Sequence, residues 1–183
     1  MKHGLLYTLG LIVLVMVAFV TSPVEAQTTA PGPYYATPSW DQQLPAATRF
    51  IVLSNWGGAA VLDRETGLVW EKSPSTSTKN WNIAQCYCNT LAVGNRMGWR
   101  LPTIQELTSL VDPSVPSPGP TLPAGHPFSN VQSSFYWSAT TNADLSILAA
   151  WGVYFSNGLV MMDVLSLFNC VWCVRGGQGV DPQ

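Results

Sequence analysis

Four cysteines carry the richest chemistry in this sequence, and they fall in two close pairs, Cys86-Tyr87-Cys88 and Cys170-Val171-Trp172-Cys173. Four thiolates so arranged can hold a structural zinc. Cys170 and Cys173 alone have the spacing of a redox pair. An even number of cysteines in an exported chain also forms disulfides. An oxidising compartment disfavours the zinc, and a redox pair normally opens a helix, whereas Cys170 and Cys173 sit inside an apolar, strand-like run. Disulfides are therefore the favoured expectation, with no metal or other cofactor. Hydrolytic chemistry has less to work with. After residue 26 there is one histidine, His126, between Gly125 and Pro127, and there is neither a Gly-x-Ser-x-Gly nor a His-Glu-x-x-His motif. A Ser–His–Asp site would have to assemble in space, so His126 reads as a loop histidine and no catalytic residue is expected.

Binding is the alternative to catalysis. Trp70, Trp99, Trp137, Trp151 and Trp172 lie in apolar stretches, where aromatic side chains bury large areas, so they read as core and not as sugar-stacking platforms. Arg100 with Glu106, and Arg175, read as internal braces, because a guanidinium can satisfy several acceptors at once. The candidates for ligand contact are the polar and aromatic loop residues Tyr34, Tyr35, Trp40, Lys79, His126, Asn130, Asn142 and Asp144.

The compartment follows from the first residues. Lys2 and His3 precede an apolar run from Leu5 to Val20, and Val24-Glu25-Ala26 supplies small residues for cleavage before Gln27. Residues 1–26 are thus expected to be a signal peptide, touching the membrane only before cleavage. Only 10% of the 183 residues are charged and the formal charge is −2. That balance gives no basic field for nucleic acid. The expected partners are a polysaccharide or an envelope or extracellular protein, met in the periplasm, at the cell surface or in the medium.

These residues must be positioned by a scaffold that the patterning outlines. Residues 27–48 are Pro-rich and read as a linker or arm. The domain then spans 49–177, with a tail at 178–183. Phe50–Leu53 is a short strand. Ala59–Asp63 and Leu68–Glu71 flank a loop that ends in Gly67, a hairpin pattern. Ser73–Lys79 reads as a polar loop. Trp81 to about Leu91 has helical spacing. Thr103 and Glu106 form a capping box at the start of a second helix, which Asp112-Pro113 ends. Six prolines lie between residues 112 and 134, a stretch long enough to be functional or disordered. Strands return at Phe135–Thr140, then at Ala150–Phe155 and Leu159–Met162 around Asn157-Gly158, and finally at Leu167–Val174. The order implies an α+β fold of two helices on small antiparallel sheets with long irregular loops.

Thr66-Gly67-Leu68-Val69-Trp70, Cys88, Trp99-Arg100-Leu101-Pro102-Thr103, Glu106-Leu107, Tyr136-Trp137-Ser138 and Cys173-Val174-Arg175, in that order, resemble the Lcl C-terminal domain family. This is a bacterial extracytoplasmic family named after a collagen-like adhesin. The resemblance implies a C-type-lectin-like fold, in the variant shared with formylglycine-generating enzymes. It implies a Cys88–Cys173 disulfide, with Cys86–Cys170 as an additional pair. It also implies adhesion, with sulfated glycosaminoglycan-type polysaccharide as a ligand class. The chain lacks a Gly-X-Y stretch, so a collagen-driven trimer is not implied. It also lacks the Glu-Pro-Asn, Gln-Pro-Asp and Trp-Asn-Asp motifs of calcium-dependent lectins, and no carboxylate lies between Asp112 and Asp144. Calcium takes about six to eight oxygens, so a lectin-type calcium site is not expected. Formylglycine-generating chemistry needs its own reactive cysteine pair, which the structural bridge pre-empts. An enzyme on this fold is the third reading, after a glycan-binding module and an envelope assembly subunit.

Overall fold

The computed structural model describes residues 44–144 and 148–176. The expected signal segment, the arm as far as residue 43 with Tyr34, Tyr35 and Trp40, and the tail lie outside the described residues. Thirteen elements follow one another: α1 (Ala46–Arg49), β1 (Phe50–Val52), β2 (Ala60–Asp63), β3 (Val69–Glu71), β4 (Ser75–Lys79), α2 (Trp81–Thr90), β5 (Trp99–Arg100), α3 (Ile104–Thr108), β6 (Phe135–Thr141), β7 (Ala149–Tyr154), β8 (Leu159–Val164), β9 (Asn169–Val171) and β10 (Val174–Arg175). They form two five-stranded sheets, ordered β1-β2-β3-β10-β5 and β4-β9-β6-β7-β8. The α+β class stands. Among the described residues, no helix is long and apolar enough to cross a membrane.

Local chemistry explains most of these elements. Gly67 takes φ +71° at the first hairpin and donates its N–H to the Asp63 carbonyl. Thr103 and Glu106 form the full capping box, each side chain accepting from the other's backbone N–H. The helix they open is shorter than the sequence predicts, and it reaches Thr108 before turning. Gly152 allows β6 and β7 to close, because a Cβ there would collide with the Phe135 ring and the Tyr136 carbonyl.

Two expectations are corrected. Ser75–Lys79 is a strand, because β9 supplies it with a pairing partner that its polar sequence does not announce. The sheets are not wholly antiparallel. β9 runs parallel to β6 at Tyr136 and Cys170, since the turn after β8 brings the chain in without reversing it. The Pro-rich stretch is tied down by backbone bonds, from Asp112 N–H to the Thr121 carbonyl, from Thr121 N–H to Phe155 and from Ser129 N–H to Lys72. The folded domain also begins before residue 49, with Ala46 and Arg49 both buried.

The second sheet is covered on both faces at β6, β7 and β9, and β8 is not. On one side Tyr136, Val153 and Phe155 pack with Trp70, Leu107, Leu110 and Trp172. On the other, Phe135, Trp137 and Ala150 pack with Ala84, Cys88, Trp99 and Cys173. The tryptophans therefore serve the core, although Trp151 is only half-buried. Arg100 braces Glu106 through two hydrogen bonds and also reaches the Gly176 carbonyl, and Arg175 donates to the Met97 carbonyl.

The chain crosses between the sheets four times, and one cluster joins two of the crossings, from β3 to β4 and from β9 to β10. Cys173 is bonded to Cys88 of α2. Cys173 N–H donates to Glu71 Oε2 at 2.8 Å, Glu71 N–H donates to the Cys173 carbonyl, and Trp172 Nε1 donates to the Glu71 carbonyl. The second expected disulfide does not form: Cys86 is exposed and Cys170 is buried, both as free thiols. Two helical residues apart means about 200° of rotation, so Cys88 faces the core while Cys86 faces solvent. Cys170 points into the opposite cluster, against Tyr136. The bridge that does form excludes both a four-thiolate zinc site and a Cys170–Cys173 redox pair.

Glu71 has a cost. Burial pushes its carboxyl up to about 7, against the Cys173 N–H and the Lys79 charge, which hold it down. Its charge in turn helps to raise the nearby Tyr87 phenol, after burial itself.

Two outcomes are expected. Replacing Cys88 and Cys173 by Ser removes a cross-link spanning 85 residues and should cost about 4 kcal/mol in chemical denaturation, by loop-closure entropy. Between pH 4.5 and about 7, folded Glu71 keeps a proton that the unfolded chain releases. Stability should therefore fall by about 3 kcal/mol as pH rises through that window, then level off. Glu71→Gln should flatten the fall when melting temperature is followed from pH 4 to pH 8.

Candidate functional site

An open concavity lies where α1 meets the Pro-rich loop. It has a volume of about 380 Å³ and is lined by Leu44, Pro45, Ala46, Arg49, Asp112, Pro123 and Ala124. That volume is within the range of small-ligand sites. Pro45, Ala46, Pro123 and Ala124 give it apolar walls. Arg49 and Asp112 give it polar ends.

Arg49 is fixed from several sides. Its Nε and Nη2 grip Asp63 at 2.9 and 2.8 Å, Nη2 also donates to the Ser109 carbonyl, and Glu65 Oε2 lies 3.2 Å from Nε. The guanidinium also sits 4.6 Å from the centre of the Phe50 ring. These contacts follow from the β1–β2 register, which sets Phe50 opposite Asp63 and so brings Arg49 beside the carboxylate. With both Asp63 and Glu65 beside it, the positive charge is more than offset. Yet Arg49 Nη1 is buried without a hydrogen-bond partner. An unpaired buried donor costs free energy unless something accepts from it. The site thus sets a guanidinium and a carboxylate, whose Oδ1 already accepts from Ser114 N–H and Oγ, beside apolar walls.

Among the described residues, the sequence-predicted contact residues His126, Lys79, Asn130, Asn142 and Asp144 do not assemble into one site. His126 does not line the pocket, although its backbone N–H donates to the carbonyl of Pro123, which does. Its ring stacks on Phe128, Nδ1 accepts from Phe128 N–H, and burial lowers its pKa. Lys79 is turned inward, with Nζ 4.2 Å from the Tyr87 ring centre and bonded to Ser75 Oγ and the Ser77 carbonyl. Asn130 adopts φ +58° and donates to Ser73 Oγ. Asn142 Oδ1 accepts from Asp144 N–H, near the end of β6. Sequence reasoning missed Arg49 and Asp112. A usable signal was present, since Arg49 precedes one strand and Asp63 ends its hairpin neighbour.

No curated protein matches the chain. The Lcl C-terminal domain family matches residues 59–175, from the edge of β2 to the end of β10, so the pocket combines residues from within that span with Leu44, Pro45, Ala46 and Arg49 just before it. That match covers well over half of the 183 residues, and the protein belongs to the Lcl C-terminal domain family.

Proposed function

We propose that this protein is an exported, non-catalytic binding module that holds polysaccharide in the pocket between α1 and the Pro-rich loop. The observation that carries this reading is the cavity, whose lining sets Arg49 and Asp112 beside proline and alanine walls, with Nη1 of that same guanidinium buried and without a hydrogen-bond partner. A sugar hydroxyl can accept from the guanidinium and donate to the carboxylate, while its C–H face lies on proline. Asp63 and Glu65 already compensate the Arg49 charge. Neutral sugar therefore suits the site better than the sulfated class that the family resemblance implies.

Export is supported by the Cys88–Cys173 bridge, since disulfides persist in oxidising compartments. A C-type-lectin-like scaffold is supported by that bridge from the first long helix to the terminal segment, and by β1 and β10 sharing one sheet. The non-catalytic reading takes support from His126, whose ring leans on Phe128 and whose Nδ1 is occupied by a backbone N–H. An assembly role in the envelope is the second reading, favoured by the exposed apolar strand β8.

A glycan array carrying neutral and sulfated polysaccharides tests the proposal. Neutral glycans should bind, with little salt dependence. Ala124 is exposed, so Ala124→Trp should fill the pocket without disturbing the core and weaken binding at least tenfold, by calorimetry. Binding that survives Ala124→Trp unchanged, or binding to sulfated glycans alone with steep salt dependence, would refute this site.

A further inference from the structure

Strand β8 has the composition of a strand from the middle of a sheet and the position of one at its edge. Leu159, Val160, Met161 and Met162 are apolar on both faces, the pattern of a strand covered on both sides. Yet β8 is last in its sheet, and these four residues are between 41% and 54% exposed. Leu148, Leu167 and Phe168 extend the patch and are more than 45% exposed or nearly bare. At about 200 Å² for a large apolar residue, these seven expose roughly 700 Å². Covered in full, that area would match the roughly 600–1,000 Å² that each member of a stable pair buries.

The backbone defines what can pair here. Phe155 N–H donates to the Ser134 carbonyl and Leu165 N–H donates to the Leu148 carbonyl. With the β6–β7 and β7–β8 registers, these bonds fix the alternation: the backbone groups of Leu159, Met161 and Asp163 face β7, and those of Val160, Met162 and Val164 face the open edge. Val164 is already closed, its N–H donating to Asp163 Oδ1 and its carbonyl accepting from Leu167 N–H. The open groups are those of Val160 and Met162, placed symmetrically about Met161. Natural edge strands are usually blunted by lysine, proline or a projecting charge. β8 has no lysine or proline, and its one charge, Asp163, is folded back onto Val164 N–H and Asn169 Nδ2.

We infer that the occupant of this edge is a second copy of the same chain, whose β8 adds antiparallel across a twofold axis through Met161. In that register, Val160 of each copy faces Met162 of the other as a hydrogen-bonded pair, giving about four backbone bonds. No other antiparallel register engages both residues, because Val164 is capped. The interface is closed and isologous, continues the sheet through both copies, and sets the apolar side chains of each β8 beside those of its counterpart on both faces. It is separate from the pocket at α1.

Sedimentation of the purified protein at micromolar concentration should give twice the mass of one chain. Met162→Pro removes an N–H that the single chain does not use. It should leave the circular dichroism spectrum unchanged and weaken association at least 100-fold. Met161→Cys, in a Cys86→Ser background, should cross-link to its counterpart under mild oxidation, and this result decides the matter if Met162→Pro fails to fold. A wild-type protein that stays monomeric, whether its edge is bare or taken by a different protein, overturns the proposal. So does a dimer that persists in Met162→Pro and does not cross-link through Met161→Cys.

Discussion

The structure depends on a covalent and hydrogen-bonded stitch where the chain passes from one sheet to the other. Cys173, between β9 and β10, is bonded to Cys88 of α2 and exchanges hydrogen bonds with Glu71 at the end of β3. Trp172, beside it, donates to Glu71 and packs edge-on against Trp70 and Phe128. Neither sheet has a long strand at this point: β9 has three residues and β10 has two. Ladders so short cannot hold two sheets in register by backbone bonds alone. The disulfide and the buried aromatic cluster supply what the ladders lack. A buried carboxyl is tolerated there because it accepts from a backbone N–H that would otherwise be left unpaired.

The two candidate interaction surfaces lie away from this stitch and differ in chemistry. The pocket at α1 is polar at its ends, small and built around a guanidinium whose charge is more than offset internally. Strand β8 is apolar, open and almost uncharged. Their separation allows a sheet-extending self-association to coexist with ligand binding, and pairing through β8 would give an assembly two pockets. A net charge of −2 opposes such association only weakly.

Much of the fold is legible in the sequence wherever the signal is local. Thr103 and Glu106 mark a helix start, Asn157-Gly158 and Gly67 mark turns, and apolar runs mark the buried tryptophans, because each depends on residues a few positions apart. The Cys88–Cys173 bridge is legible through the family resemblance. Its proposed companion fails on helix geometry, which sets Cys86 and Cys88 on different faces. Long-range effects are not legible. Ser75–Lys79 is a strand only because β9 lies beside it. Arg49 is a pocket residue only because the β1–β2 register presents it to Asp63. The apolar run in β8 reads as an interior strand, and composition alone does not place it at an edge. Loop polarity selected Lys79 and Asn130 as contact residues, but both side chains are held by their own fold.

The state of the four sulfurs tests the central stitch most directly. Protein recovered from the exported fraction, alkylated without reduction and digested, should yield one cross-linked peptide pair joining Cys88 to Cys173, with Cys86 and Cys170 both alkylated once the chain is unfolded. A Cys86–Cys170 pair, a Cys170–Cys173 pair or four alkylated cysteines would contradict it.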